Sequence, residues 1–190
     1  VWLFGHESEP LVPFSEATSH FKDEAIRKSS SIHSKGMLTD IGGALEAAML
    51  QPPLGGKAIL LSDGMVDLGP DASLNAAEEA RIEHRIIPQL KGVGAEVHTV
   101  ALSANADKDM LSTIAMGTGG LFETARTPED LTRIFLRLFD DAVIQDRLPL
   151  EEGRFLVDSS VKEFTLLTFH SEQATPIQIQ APSDTYYLKS

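Results

Sequence analysis

Apolar residues follow two rhythms along this chain, and the rhythm changes near residue 146. The densest run, Lys57-Ala58-Ile59-Leu60-Leu61-Ser62-Asp63-Gly64, stops abruptly in a hydroxyl, a carboxylate and a glycine. A short apolar run bounded by Gly56 and Gly64 predicts a strand buried on both faces, in the middle of a parallel sheet. Glu96 to Leu102 has the β-branched character of a second interior strand, and Leu121 to Ala125 reads as a third. Around them the spacing is helical. Ile41, Leu45, Ala48 and Met49 recur at helical intervals behind Thr39, the expected N-cap, and Pro52-Pro53 stop that helix. A long helical stretch from about Ser73 to Leu90 carries Pro88 near its end, where a kink or stop is expected. Asp107 to Ala115 predicts another helix, closed by Gly117-Thr118-Gly119-Gly120. Thr127-Pro128-Glu129-Asp130 combines a hydroxyl cap, a first-turn proline and acids against the helix dipole. The stripe Leu131, Ile134, Phe135, Leu138 and Phe139 carries that helix to about Val143.

The amino end opens on a short strand, Val1 to Gly5, with Glu9 to Phe14 as an extended partner whose two prolines favour a sheet edge. Between Ser15 and Ser34, Phe21, Ala25, Ile26 and Ile32 mark a modest helical stripe, broken at Lys35-Gly36. Beyond residue 146, Arg154 to Val157, Glu163 to Phe169 and Ile177 to Gln180 read as short strands, with no helical stripe. The alternation of strand and helix predicts an α/β domain over residues 1–145, a doubly wound and mostly parallel sheet. Residues 146–190 read as an all-β segment, the start of a β-sandwich-like module.

Composition narrows the function. The 190 residues hold one sizeable domain, or a medium domain and part of another. A net charge of −12 without a basic cluster argues against nucleic-acid binding and is compatible with cation binding. The absence of cysteine excludes disulfides and thiol catalysis and leaves the redox compartment open. No run reaches the roughly 18 apolar residues of a membrane span. The opening on a strand with no signal peptide suggests an excerpt with both ends cut, so membrane anchoring is expected only through segments outside this chain.

Asp63 draws attention first, because ligands of open α/β sheets bind at the carboxyl ends of the strands. Thr39, at the start of a neighbouring helix, adds a hydroxyl. Both are hard oxygen ligands of the kind Mg²⁺ accepts. Gly42 and Gly43 lower helix propensity in that helix's first turn and suit a close approach by another backbone or a ligand. His20 and His33 lie among polar residues and read as surface groups, and His98 reads as structural, facing a packed helix. The glycine cluster 117–120 follows a helix and precedes a strand, the reverse of a phosphate-binding loop. There is no paired His-Glu zinc motif, nucleophile elbow or dinucleotide fingerprint.

Taken in order, Val1 to Gly5, Thr39 to Leu45, Ile59 to Gly64 and Val97 to Leu102 resemble the von Willebrand factor type A (VWA) domain, a Rossmann-like fold, entered at its second strand. The resemblance covers about residues 1–143. Phe155 to Phe164 with Ile177 to Ser183 is similar to the β-module that follows VWA domains in some cell-surface proteins, including the calcium-activated chloride channel regulators. The whole order also resembles bacterial VWA proteins thought to be envelope-anchored. This resemblance implies a place in the cell envelope, periplasmic or extracellular, and a non-enzymatic interaction module. The family's metal-ion-dependent adhesion site (MIDAS) joins an Asp-x-Ser-x-Ser loop after the first strand, a threonine and an aspartate. Thr39 matches the threonine and Asp63 the aspartate. The implied cofactor is Mg²⁺, or Mn²⁺ or Ca²⁺, and the implied partner a protein offering a carboxylate.

The Asp-x-Ser-x-Ser loop is missing, and Ser29-Ser30-Ser31, at the end of a helical segment, is no substitute. Thr39 and one carboxylate leave most of an Mg²⁺ octahedron to solvent, so weak or no metal binding is expected of this chain alone. The family's first strand lies centrally, and its absence predicts two neighbours with unpaired backbone groups and poor stability. Two alternatives remain: a scaffold that binds partners without metal, and a Mg²⁺-dependent, receiver-like domain phosphorylated on an aspartate. The second needs further acids and a lysine. Asp67 lies on the same loop as Asp63, and no lysine follows a later strand.

Overall fold

The computed structural model describes residues 1–16, 18–33, 38–50, 56–63, 65–142, 148–149, 151–152, 154–162, 164, 178–180 and 185–187. Lys35-Gly36, Pro52-Pro53, Gly64, Val143, Ile177, Ser183 and, apart from Phe164, the expected strand Glu163 to Phe169 lie outside them. Two compact units divide the chain, Val1–Gln145 and Asp146–Ser190. The first is mixed α/β, with a parallel sheet flanked by helices, a Rossmann-like arrangement.

The hairpin β1 (Trp2–Phe4) and β2 (Ser8–Pro10) opens the chain, with Leu3 opposite Glu9. Its second strand is shorter than expected because Leu11 and Val12 both turn their N–H groups onto the Val1 carbonyl. Helix α1 (Ser19–Ser29) follows, with Thr18 accepting from the Phe21 N–H. None of its residues is buried, and Ile26, part of the expected stripe, is 67% exposed.

Strands β3 (Gly56–Ser62), β4 (Ala95–Ala101) and β5 (Phe122–Thr124) form the parallel sheet in the order β3-β4-β5. Contrary to the sequence reading, β3 is not its middle strand among the described residues. β4 is, and burial follows rank: every residue of β4 except Glu96 is buried, whereas in β3 only Leu60 and Ser62 are. Alternation sorts the side chains onto two faces. On one, Leu60, Val97 and Ala101 meet Ile41, Leu45 and Met49 of α2 (Ile41–Met49), together with Ile82, Ile86, Leu90, Leu111 and Ile114. On the other, Val100 packs with Leu138 of α6 (Pro128–Ala142), joined by the half-buried Ile59, Leu61, Leu131 and Ile134. Thr127 caps α6 as its sequence predicts, accepting from the Asp130 N–H at 3.1 Å.

The long helical stretch is one rod in three parts: α3 (Ala72–Arg81), a π-helical turn (Ile82–Ile86) and α4 (Ile87–Gly92). Pro88 neither stops nor ends it. A proline ring ordinarily strikes the carbonyl one turn back. Here the turn before it is widened, with the Ile87 N–H reaching back to the Ile82 carbonyl, and the helix continues through Pro88.

Helix α5 (Lys108–Thr118), capped by Asp107 through the Met110 N–H at 2.9 Å, runs three residues further than its sequence suggests. Gly117 and Thr118 belong to it. A Cβ on Gly117 would lie 2.5 Å from Ile87 Cγ2, so the glycine lets α4 and α5 close up. Thr118 Oγ1 accepts from the Val97 N–H at 3.0 Å and donates to the Ile114 carbonyl at 2.9 Å. Gly119 ends the helix in the left-handed conformation, φ 85°. We expect Thr118→Val to lower stability by about 1–3 kcal/mol, because it strands a buried N–H. Urea denaturation measures this, and an unchanged midpoint would show that Val97 finds another acceptor.

In the second unit, β6 (Gln178–Gln180) and β7 (Thr185–Tyr187) pair antiparallel. Glu151 bridges to Arg154, and the Phe155 and Phe164 rings meet edge to face with centroids 5.2 Å apart. Residues 155–157 do not form the expected strand, and no helix occurs among this unit's described residues.

Candidate functional site

β3 delivers Ser62 buried and Asp63 exposed at its carboxyl end. The loop after β4 is stitched to this point. Leu102 N–H donates to the Ser62 carbonyl at 2.9 Å, Ser103 Oγ donates to the Asp63 carbonyl at 2.7 Å, and Asn105 N–H donates to Ser103 Oγ at 3.0 Å. Past Asp63, Met65 is exposed and Val66 buried, which anchors the loop in the core. Gly69 N–H donates to Asp67 Oδ1 at 2.9 Å, and Leu68 N–H donates to Asn75 Oδ1 at 2.7 Å. Asp71 caps α3; the Ser73 hydroxyl and N–H hold its carboxyl below the usual carboxylate range.

Thr39 reaches this loop through its backbone. Its N–H donates to the Asp67 carbonyl at 2.7 Å, and the Asp67 N–H returns the bond at 3.1 Å. The structure therefore sets Thr39 against the loop that begins at Asp63, and the residue it pairs with is Asp67, four positions further on. Thr39 is not the helix cap. That role falls to Asp40, whose Oδ1 accepts from the Gly43 N–H at 2.7 Å, because the backbone of Thr39 is committed to Asp67. Asp40 N–H in turn donates to the Gly5 carbonyl at 2.9 Å, tying in the hairpin.

Side chains stand close to both glycines of α2. A Cβ on Gly43 would stand 2.8 Å from Asp40 Cγ; one on Gly42 would stand 2.6 Å from Arg81 Nη2 and 3.0 Å from Ile86 Cδ1. Arg81 is bound by Glu78 and Glu46, and the Glu78 hydrogen bonds first of all raise its pKa above the ordinary arginine range. Neither Asp67 as the partner of Thr39 nor the Arg81 cluster is legible in the sequence. The paired glycines were the one signal that something sits close to the first turn of α2.

Among the described residues, no group of three or more His, Asp or Glu side chains is arranged to hold a metal ion. Thr39 and Asp63 are of the right hard-oxygen chemistry for Mg²⁺, but two donors fall short of its octahedron. His20 and His33 are exposed. His98 is fully buried, accepts the Leu121 N–H on Nδ1 at 3.1 Å and places Nε2 3.3 Å from Glu96 Oε1. Its Nδ1 bond thus runs to the lead-in of β5, and its Nε2 lies beside a carboxylate of its own strand.

Neither a family model nor a curated protein matches the sequence. Solved structures do. The chain is similar to proximal thread matrix protein 1 (PTMP1) from the mussel byssus, with a TM-score of 0.56 and 20% identity, over 74% of this chain and 34% of that one. A second crystal form of PTMP1 gives a TM-score of 0.54 and 17% identity, over 73% and 35%. At such identity the likeness speaks for the fold alone. The chain spans about a third of the length of PTMP1.

Proposed function

We propose that this chain is part of a non-enzymatic interaction module of the VWA type, in which Thr39 and Asp63 supply two oxygen ligands to a divalent cation, Mg²⁺, Mn²⁺ or Ca²⁺. Ligands from elsewhere in the intact protein complete the site, and an open position accepts the carboxylate of a protein partner. The observation that carries this reading is the Thr39–Asp67 backbone pair, which joins the threonine's loop to the loop that starts at Asp63, beyond the carboxyl end of β3. The cell envelope, periplasmic or extracellular side, is the location that the resemblance favours. Isothermal titration of the intact protein with Mg²⁺ and Mn²⁺ tests the proposal. Binding heat is expected, with Thr39→Ala and Asp63→Ala each weakening it at least tenfold; a folded protein that gives no heat overturns it.

A second reading, a scaffold that binds without metal, draws support from Asp67 being engaged by Gly69. Partner capture that survives chelation by EDTA would favour it.

A further inference from the structure

Beside the apolar contacts of Ile41 with Ile82 and Ile86, the rod α3–α4 meets the first turn of α2 at a polar notch. Arg81 fills it. Its Nε and Nη2 donate to the two carboxylate oxygens of Glu78 at 2.6 and 2.5 Å, and its Nη1 donates to Glu46 Oε2 on α2 at 2.7 Å. Arg85, one turn on, donates to the other Glu46 oxygen at 2.9 Å. Glu78 is only 6% exposed, while Arg81 keeps 26% of its side-chain surface in water. The notch exists because residue 42 has no side chain: any Cβ there would overlap Glu78 and Arg81. Arg81 Nη2 also lies 3.9 Å from Asp40 Oδ1, the oxygen that caps Gly43. Asp40 and Thr39 are in turn fixed through their backbones to Gly5 and Asp67.

We propose that Arg81 is a positioning residue for the candidate cation-binding edge: with Glu78 it seats the first turn of α2 through the notch at Gly42, holds the Asp40 carboxylate toward Gly43, and so fixes Thr39 against the loop that begins at Asp63. For the identity of the ligand this rests on the function proposed above; the clamp itself rests on the geometry alone. The planar guanidinium is suited to the task, since it engages both Glu78 oxygens and still has a nitrogen for Glu46. Asp40 is thereby drawn into the helix terminus, and Thr39 is the group the loop presents.

The test compares the intact protein with the double variant Glu78→Leu/Arg81→Met, which removes both charges together and avoids stranding either. Two quantities are read where circular dichroism shows the fold intact: amide hydrogen exchange, and Mn²⁺ affinity by titration calorimetry. The expected result is at least tenfold faster exchange at Thr39, Gly43 and Asp67, with Val97 and Val100 of β4 unchanged, and at least fivefold weaker Mn²⁺ binding. Parent-like exchange at Thr39, Gly43 and Asp67 overturns the clamp, and so does an equal acceleration in β4, which is general destabilisation. Local acceleration with unaltered Mn²⁺ affinity overturns the positioning role. If the parent binds no Mn²⁺, the cation-binding function fails and the positioning role fails with it, while exchange still decides whether the clamp exists.

Discussion

Gly120→Ala is expected to lower the stability of the protein by about 3 kcal/mol, at the upper end of what overpacking ordinarily costs. A methyl group at this position would overlap the Val97 carbonyl oxygen and stand 2.6 Å from its carbon and 2.9 Å from the His98 nitrogen. All three are backbone atoms of the middle strand, so no side chain can rotate away. The chain crosses β4 here, on its way from α5 to β5, with the Gly120 N–H bonded to the Ala115 carbonyl at 2.8 Å. Relief must come from moving the crossing or the strand, and the Leu121 N–H to His98 bond lies next to it. Gly92→Ala is the matched control. That glycine ends α4 and meets nothing within 4 Å, so alanine should stabilise by about 0.5–1 kcal/mol through the unfolded chain. Urea melts with equal m-values would show opposite shifts of midpoint. A Gly120→Ala midpoint close to the parent's would mean that the crossing is looser than its geometry indicates.

Arg81→Met alone should have the second large effect, a loss of about 3 kcal/mol, because it leaves the nearly buried Glu78 carboxylate without its counterion. Glu46 keeps Arg85 and suffers less. The double variant Glu78→Leu/Arg81→Met should recover most of that loss, since it leaves no carboxylate stranded at the buried position 78. Thermal melts of the parent, single and double variants measure this. Equal losses in the single and double variants would show that the attraction within the pair, rather than the stranded charge, carries the energy.

Much of this architecture can be read from periodicity. The runs Ala58–Leu61 and Val97–Ala101 are strands, and the stripes behind Asp40, Asp107 and Thr127 are helices. What periodicity cannot supply is adjacency. An apolar run reports that a strand is buried without naming its neighbours, so β3 reads as central, while among the described residues β4 holds that place. The cap of α2 falls one residue past Thr39 for a related reason: Thr39 and Asp40 are both good caps in isolation, and the choice is made by Asp67, on a distant loop. Gly120 likewise has meaning only once β4 lies beneath it. At the candidate site, the two oxygen-bearing residues were visible as residue types at strand and helix ends. The clamp on α2 depends on a guanidinium from another helix and left only the two glycines as a trace.

The widened turn at Ile82–Ile86 bears on how this rod tolerates changes in length. A π turn is in effect one residue more than an α-helix needs over the same span, so removing a residue there shortens the rod locally while Leu90 can keep its heading toward the core. Elsewhere in the rod, the same deletion would swing everything downstream by about 100°. The tolerance comes with a condition: once the turn is regular, the Pro88 ring again meets the carbonyl behind it. The extra residue and the proline are therefore a matched pair, to be gained or lost together.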